Sequence, residues 1–463
     1  MKTNYITLSA VSIALLSSCN LYKNVDLPAN KYTEWQEAKT QQNKSADEKW
    51  WESFSDEKLN QIISISRQNN KDIKIAIARI NQARAGQLGV IAENLPVVNS
   101  NINTGRNKAS TTISSRPFTQ KYYNNYRAEF DASWEISLFR IEPAQRAARL
   151  NIARANEELN DVLVSLYAEV ASNYFEVRKL QLQLSNQSQI VSASEENYKL
   201  QKNLFEAGNI DKIELSASQQ ILNNAKSQQE IYNNQLKEKT YTLEALVGLN
   251  PSGLKEILSS SFSHSLPNIE KIASAPTEVL AKRPDVRIAL RNLEYSGAMQ
   301  DVAYSNLLPK ISISGLLGFE SGRAGSLFNS GSQAWGVSGG LLTPIIDFKK
   351  LRADIDTAEA DKQEAFAQYE KAMLSAFADV ESSFASLTMA ENNLDISQAQ
   401  FKIQQSNKNL IEDKYKQGLS SYSEYLTSKT EKLAAEIELE EAKFEKINQS
   451  IRVYKALGGG WNS

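Results

Sequence analysis

An internal duplication runs through this chain and limits the folds open to it. Leu95-Pro96 recurs as Leu308-Pro309, and Glu169-Val170 with Phe175 recurs as Asp379-Val380 with Phe384. Phe205-Glu206-Ala207-Gly208 is echoed by Tyr415-Lys416-Gln417-Gly418, and Ala245-Leu246-Val247-Gly248 by Ala456-Leu457-Gly458-Gly459. The spacing stays near 210 residues throughout. One such match could arise by chance, but four in register mark a repeat. The chain is therefore two copies of one structural unit, and each copy reads as helix, two strands, then a very long helical hairpin.

The hairpins are legible from what they lack. Glu142 to Glu206 contains no glycine, and its only proline is Pro143, placed at the opening where proline is tolerated. At 1.5 Å per residue that run is on the order of 100 Å of helix. Gly208 breaks it, and a return helix is expected from Asp211 to about Val247. In the second copy the outgoing helix is expected over Lys349 to Lys416, with Gly418 at the turn and Ser421 opening the return. Leu419, Tyr422, Leu426, Leu433, Ile437, Phe444 and Ile447 are spaced in threes, fours and sevens, which gives one narrow apolar seam. A seam this narrow suits a layer of coiled coils one helix thick.

The strands are read from alternation. Tyr126, Ala128, Phe130, Ala132, Trp134 and Ile136 share one face, while Arg127, Glu129, Asp131, Ser133 and Glu135 occupy the other. The partner strand, near Val98 to Thr104, alternates more weakly. In the second copy Ile311, Ile313, Leu317 and Phe319 form one face, and Trp335, Val337 and Leu341 another. Polar and glycine-rich loops, Arg106 to Gln120 and Ser321 to Ser332, join the members of each pair. An oily face opposite a charged one suits a transmembrane strand with lipid on one side and water on the other. A small soluble sheet with one wet face would show the same pattern. Four strands cannot close on themselves, and an open edge cannot lie in hydrocarbon with unpaired backbone groups. If these strands span a membrane, several copies must pool them.

Composition removes most chemistry. Basic and acidic residues nearly balance, 52 against 54, so nucleic acid is not the expected partner. Cys19 and His264 are the only cysteine and histidine. A Cys/His metal cluster is excluded, and so is any nucleophile–histidine pair that does not use His264, in a serine-rich stretch read as a loop. Neither GxxxxGK[ST] nor GxGxxG occurs, so no phosphate cradle is visible. No catalytic residue, cofactor or metal site is expected.

At the N-terminus, Lys2 precedes a mostly apolar stretch from Tyr5 to Leu16, too short to span a bilayer but suited to a signal-peptide core. It ends in Leu16-Ser17-Ser18-Cys19, which resembles the bacterial lipobox. That resemblance implies cleavage before Cys19 and lipid on Cys19, with acyl chains that hold the mature protein in a leaflet.

The stretch Trp50-Trp51-Glu52-Ser53-Phe54-Ser55-Asp56-Glu57-Lys58-Leu59, then Asn69-Asn70-Lys71-Asp72-Ile73 and Ala83-Arg84-Ala85, resembles the N-terminal helices of TolC-type outer-membrane efflux subunits. Within that family it is most similar to the NodT/OprM lipoprotein branch. Arg283-Pro284-Asp285-Val286-Arg287 resembles the branch's distinctive short motif, and Leu457-Gly458-Gly459-Gly460-Trp461 its usual C-terminus. With the duplication, the resemblance covers essentially the whole chain. It implies a mostly α fold with β: a homotrimeric duct with a shared twelve-stranded outer-membrane barrel on a periplasmic α-helical barrel. It further implies a passive conduit for drugs or other small toxic compounds, served by a periplasmic adaptor and an inner-membrane pump, commonly of the RND class. A duct for type I protein secretion or for metal-ion efflux would share this body. A poreless periplasmic scaffold is the competing class.

The expected divisions are a signal peptide over 1–18, a lipid-anchored tether over 19–48, a first repeat over 49–250, an equatorial linker over 251–276, and a second repeat with the C-terminus over 277–463. Arg283, Pro284 and Asp285 are expected to be a helix-packing element, with Pro284 inside a helical region. The resemblance places a closable tip at the hairpin turns, where relatives often carry rings of acidic residues. The carboxylates available there are Asp211, Glu214, Glu412, Asp413 and Glu424. The second turn departs from the family, reading Lys414-Tyr415-Lys416-Gln417-Gly418-Leu419-Ser420-Ser421 without an acid until Glu424.

Overall fold

A computed structural model describes residues 34–37, 39–40, 49–108, 110, 122–260, 272–273, 276–344 and 347–460. Cys19, His264, Trp461 and most of the 106–120 loop lie outside the described residues. In chain order the main elements are α1 (Glu57–Asn69), α2 (Lys71–Ala92), β1 (Val97–Lys108), β2 (Tyr122–Ile136), α3 (Leu138–Glu206) and α4 (Lys212–Val247). The second copy gives α5 (Pro284–Ser305), β3 (Lys310–Ser321), β4 (Gln333–Leu342), α6 (Phe348–Lys416) and α7 (Tyr422–Ala456). Helix, two strands and helical hairpin thus recur in order, and each outgoing helix, α3 and α6, is 69 residues long.

One physical device ends all four long helices. Gly208, Gly248, Gly418 and Gly458 take left-handed backbone angles, with φ between 73° and 84°. Each glycine N–H and the next one bond back to the last helical turn, for example Gly208 to Phe205 O and Asn209 to Leu204 O. This closes carbonyls that a helix end would otherwise leave open. The return helices open on side-chain caps. Asp211 accepts from the backbone of Ile213 and Glu214, and Ser421 makes a reciprocal capping box with Glu424.

The four strands form one sheet in the order β1-β2-β3-β4, every neighbouring pair antiparallel, with β1 and β4 as its edges. The two copies meet where β2 pairs with β3, Phe130 opposite Leu317 and Arg127 opposite Glu320.

The chain divides into two compact units that cut across the duplication, because each unit draws on both copies. One takes residues 79–155 and 289–369 and contains the sheet. The other takes residues 29–78, 156–288 and 370–463 and holds the largest hydrophobic core. That core joins Trp50, Trp51 and Phe54, in a short 3-10 helix, to Tyr167, Tyr174 and Phe175 of α3 and Phe444 of α7. A second cluster packs Val380 and Phe384 of α6 against Trp35, Val279 and Val453. The repeated Val–Phe pairs are therefore core anchors of their respective hairpins.

Several expectations need correction. Residues 106–108 and Ser321 belong to strands, so both hairpin loops are shorter than alternation indicated. Helix α3 begins at Leu138, with only Ser137 between it and β2, which puts Pro143 inside the helix instead of at its opening. Pro284 does lie in a helical region, as the first residue of α5, where its missing N–H costs nothing. Leu419 is 72% exposed in the turn and is not part of the α7 seam, which does bury Leu426, Leu433, Ile437, Phe444 and Ile447. The 251–276 segment carries a short helix, Lys255–Ser259, and its Leu254 and Leu258 enter the main core.

Candidate functional site

The sheet has two chemically opposite faces. Strand pairing places Phe130 beside Leu317, Trp134 beside Ile313 and Ile136 beside Ile311 on one of them. The exposed large side chains of this face include Val98, Ile102, Phe130, Leu317, Trp335, Val337 and Leu341. Such an area of bare apolar surface is one that water does not tolerate without a partner.

The other face is a lattice of polar pairs. Arg127 reaches Glu320 at 3.1 Å and Glu129 at 3.5 Å, and Lys310 holds Glu135 at 2.8 Å. Asn99 and Asn101 donate their amides to the Asp131 carboxylate, and Ser314 meets Ser338 at 2.7 Å. These contacts lock the register of the wet face as the apolar rows lock the other. No helix among the described residues is long and apolar enough to cross a membrane.

The turn carboxylates have local partners. Asp211 is occupied as the α4 cap at 2.8 Å from Ile213 N. Glu412 pairs with Lys408 and, at 3.0 Å, with Lys416. The hydrogen bonds from these lysines hold the Glu412 carboxyl below the usual carboxylate range. Glu424 accepts from Ser420 Oγ at 2.5 Å and Ser421 N at 2.9 Å, which lowers it likewise. Asp413 contributes its carbonyl to Gln417 N, and Glu214 lies in the first turn of α4. Composition alone missed the aromatic cluster at the second turn, where Tyr415, Tyr422 and Tyr425 have ring centroids within 6 Å of each other. Tyr422 also donates to Glu196 of α3 at 2.6 Å, and this bond pushes its hydroxyl up to about 12. The spacing 415, 422, 425 is a helix-face signal only once the hairpin is folded back on itself.

Arg283, Pro284 and Asp285 are brought together with two distant groups. Arg283 makes a two-pronged pair with Asp285 at 3.0 and 2.8 Å, reaches Asp379 of α6 at 3.0 Å, and donates to Ala456 O at the end of α7 at 2.7 Å. Burial opposes its charge, yet the hydrogen bonds and charges of Asp285 and Asp379 hold the guanidinium above its ordinary value. The motif thus ties the start of α5 to α6 and to the C-terminal end of α7. A second buried arginine went unnoticed in the sequence. Arg178 is fully buried, donates to the carbonyls of Ile257, Leu258 and Ser260, and lies over the Tyr174 ring at 5.1 Å. Tyr174 in turn donates to Asp56 at 2.7 Å, the residue that caps α1.

Known proteins share this arrangement. The chain is 25% identical to the solvent efflux pump outer membrane protein SrpC of Pseudomonas putida, over 89% of this chain and 87% of that protein. It is 26% identical to the pyoverdine export outer membrane protein OpmQ of Pseudomonas putida, over 90% of this chain and 89% of that one. The solved structure of the outer-membrane channel OprN superposes with a TM-score of 0.83 at 25% identity, covering 96% of this chain and all of that one. A family model described as outer membrane efflux protein matches residues 62–249 and 275–459, one match to each copy of the duplication. With the two-faced sheet and the paired long hairpins, these matches establish that the chain belongs to the outer membrane efflux protein family.

Proposed function

We propose that three copies of this chain assemble into a passive duct that carries small toxic compounds out of the cell. In this reading the sheets pool into a twelve-stranded barrel in the outer membrane and the long hairpins form a periplasmic tube below it. The observation that carries the reading is the two-faced sheet with two open edges. Its apolar side needs lipid, its polar side needs water, and its unpaired edges need neighbouring strands. A periplasmic adaptor and an inner-membrane pump of the RND class would deliver cargo and energy, and the duct itself would carry no catalysis. Cys19 would bear the lipid anchor. The carboxylates Asp211, Glu214, Glu412, Asp413 and Glu424 would line or flank a closable tip, although Asp211, Glu412 and Glu424 also serve local structure.

Purified protein reconstituted in planar bilayers should give discrete conductance steps, and deleting its gene should raise cellular accumulation of a fluorescent efflux dye. Absence of any conductance would favour the poreless scaffold. The faces supply a sharper test. Phe130→Arg places a charge toward lipid, at a cost of about 2–4 kcal/mol near a barrel midplane, and should deplete membrane-inserted oligomer. Asp131→Arg should insert nearly normally and shift ion selectivity toward anions. The reverse pattern would invert the face assignment. Intact-mass analysis of the N-terminal peptide should show acyl mass on Cys19, and an unmodified Cys19 would remove the anchor.

A further inference from the structure

The duplication gives more than a ring of copies: it specifies the register in which the ring closes. We propose that β4 of one copy pairs antiparallel with β1 of the next so that Leu341 stands opposite Ile102, Gly339 opposite Thr104, Val337 opposite Arg106 and Trp335 opposite Lys108. The inference rests on the reading that copies pool their strands, and it deepens that reading to named pairs.

The pairing inside one copy fixes this register. Strand β3 is the second-copy equivalent of β1, since Leu95-Pro96 and Leu308-Pro309 precede them, so Val97 corresponds to Lys310, a shift of 213. Val97 pairs with Ser133, and Lys310 pairs with Leu342. Ser133 of β2 therefore corresponds to Leu342 of β4, a shift of 209. The seam between the two hairpins, β2 with β3, pairs Ala132 with Gly315 and Ala128 with Phe319. Repeating that seam around a ring means moving the β2 member forward by 209 and the β3 member back by 213. Ala132 becomes Leu341 and Gly315 becomes Ile102, while Ala128 becomes Val337 and Phe319 becomes Arg106.

Two independent features agree with this register. The apolar faces stay in phase, because Leu341 and Ile102 lie on the oily side of their own sheets and are 71% and 82% exposed in a single copy. The glycines discriminate between registers that share this phase. Gly105 of β1 faces Ser338 here, while Gly336 and Gly340 face Asn107 and Asn103. A slip of two residues in either direction sets Gly336 or Gly340 directly against Gly105, leaving a cross-strand position with no side chain at all. Within one copy a side chain at Gly336 would meet nothing within 4 Å, so the copy's own packing does not require glycine there.

Disulfide trapping tests the register directly. Opposed residues of an antiparallel pair have Cα atoms about 4.5–5.5 Å apart and can be bridged, whereas diagonal ones about 7–8 Å apart are poorly placed. Full-length chains carrying L341C together with S100C, I102C or T104C would be oxidised in the outer membrane and run without reductant. The single variants L341C and I102C alone set the background from Cys19. We expect I102C/L341C to give a covalent ladder up to three chains, at least about five-fold more than either displaced pair. A stronger ladder from S100C/L341C or T104C/L341C would overturn the register while leaving the ring intact. No interchain bond in any of the three would overturn the pooling of strands itself. Should a Leu341 variant fail to insert, V337C with T104C, R106C or K108C poses the same question, and R106C must then dominate.

Discussion

The two long hairpins are the same backbone held in place by different forces. Both outgoing helices have 69 residues, both turn on a left-handed glycine, and both return from a side-chain cap. The first hairpin is fastened by burial. Its α3 helix places Tyr167, Tyr174 and Phe175 in the main core, and Arg178 satisfies three carbonyls of the following segment from a fully buried position. The second adds polar ties to a buried cluster of its own around Val380 and Phe384. Arg283 joins Asp379 to the end of α7, and Glu196, Lys408 and three tyrosines brace its turn. The acid that echoes Asp379 in the first copy, Glu169, lies at the surface instead.

The return helices differ as well. Helix α4 buries six residues and leaves Ile213 and Ile221 exposed, whereas α7 buries thirteen. Helix α7 has two long neighbours: it meets α3 through Phe444 and Tyr422 and α6 through the Lys446–Glu391 pair. Duplication therefore preserved the course of the chain, while the neighbours of each copy decided what holds it.

Removing the two arginines should have the largest effects. Arg178→Met leaves buried carbonyls without donors and should cost about 3–5 kcal/mol, seen as a large drop in Tm of the detergent-solubilised protein. Arg283→Met frees Asp285 and Asp379, which are partly exposed and can be hydrated, so its loss should be about 1–2 kcal/mol. Equal losses would show that burial is not what separates the hairpins.

The turn glycines come next. A Cβ at Gly248 would come within 2.6 Å of the Asn69 carbonyl oxygen, so Gly248→Ala must displace backbone and should cost more than about 3 kcal/mol. At Gly208 and Gly418 a Cβ would meet nothing within 4 Å, and only the left-handed conformation is penalised, about 1–2 kcal/mol. Gly458→Ala should fall between, since its Cβ would press on Arg283 Cγ at 3.3 Å and Cα at 3.4 Å, close but short of the overlap at Gly248.

Smaller effects should separate the caps. Asp211→Ala should cost about 1 kcal/mol, and Ser421→Ala somewhat less, because Glu424 still accepts from Ser421 N after the change. Amide exchange in the first turns of α4 and α7 reads both. The second turn should also loosen in acid. Glu412 and Glu424 have lowered carboxyl pKa values, so their contribution is present above the ordinary value of 4.5 and is lost as pH falls through the lower folded values. Exchange protection at Ser421, Glu424 and Tyr425 should drop below about pH 4.5, and Glu424→Gln should blunt that step. A turn whose protection is flat from pH 6 to pH 3 would remove the acid-sensitive bracing.

The repeat, the helix ends and the alternating strands are legible in the amino-acid order alone. Each depends on neighbours within a few residues: glycine at a left-handed turn, a capping oxygen two or three residues from its N–H, side chains on opposite faces every second residue. Even there, Pro143 and Leu419 were misplaced, because a strand running straight into a helix and a residue left outside a seam are settled by what packs nearby. Which strands are edges, what Arg178 and Arg283 hold, and that Tyr422 of one hairpin bonds Glu196 of the other emerge from the folded arrangement. Arg283 reaches Asp379 and Ala456 across 96 and 173 residues of chain. No local pattern encodes such a pairing, since a buried charge takes whatever partners the packed helices bring to it.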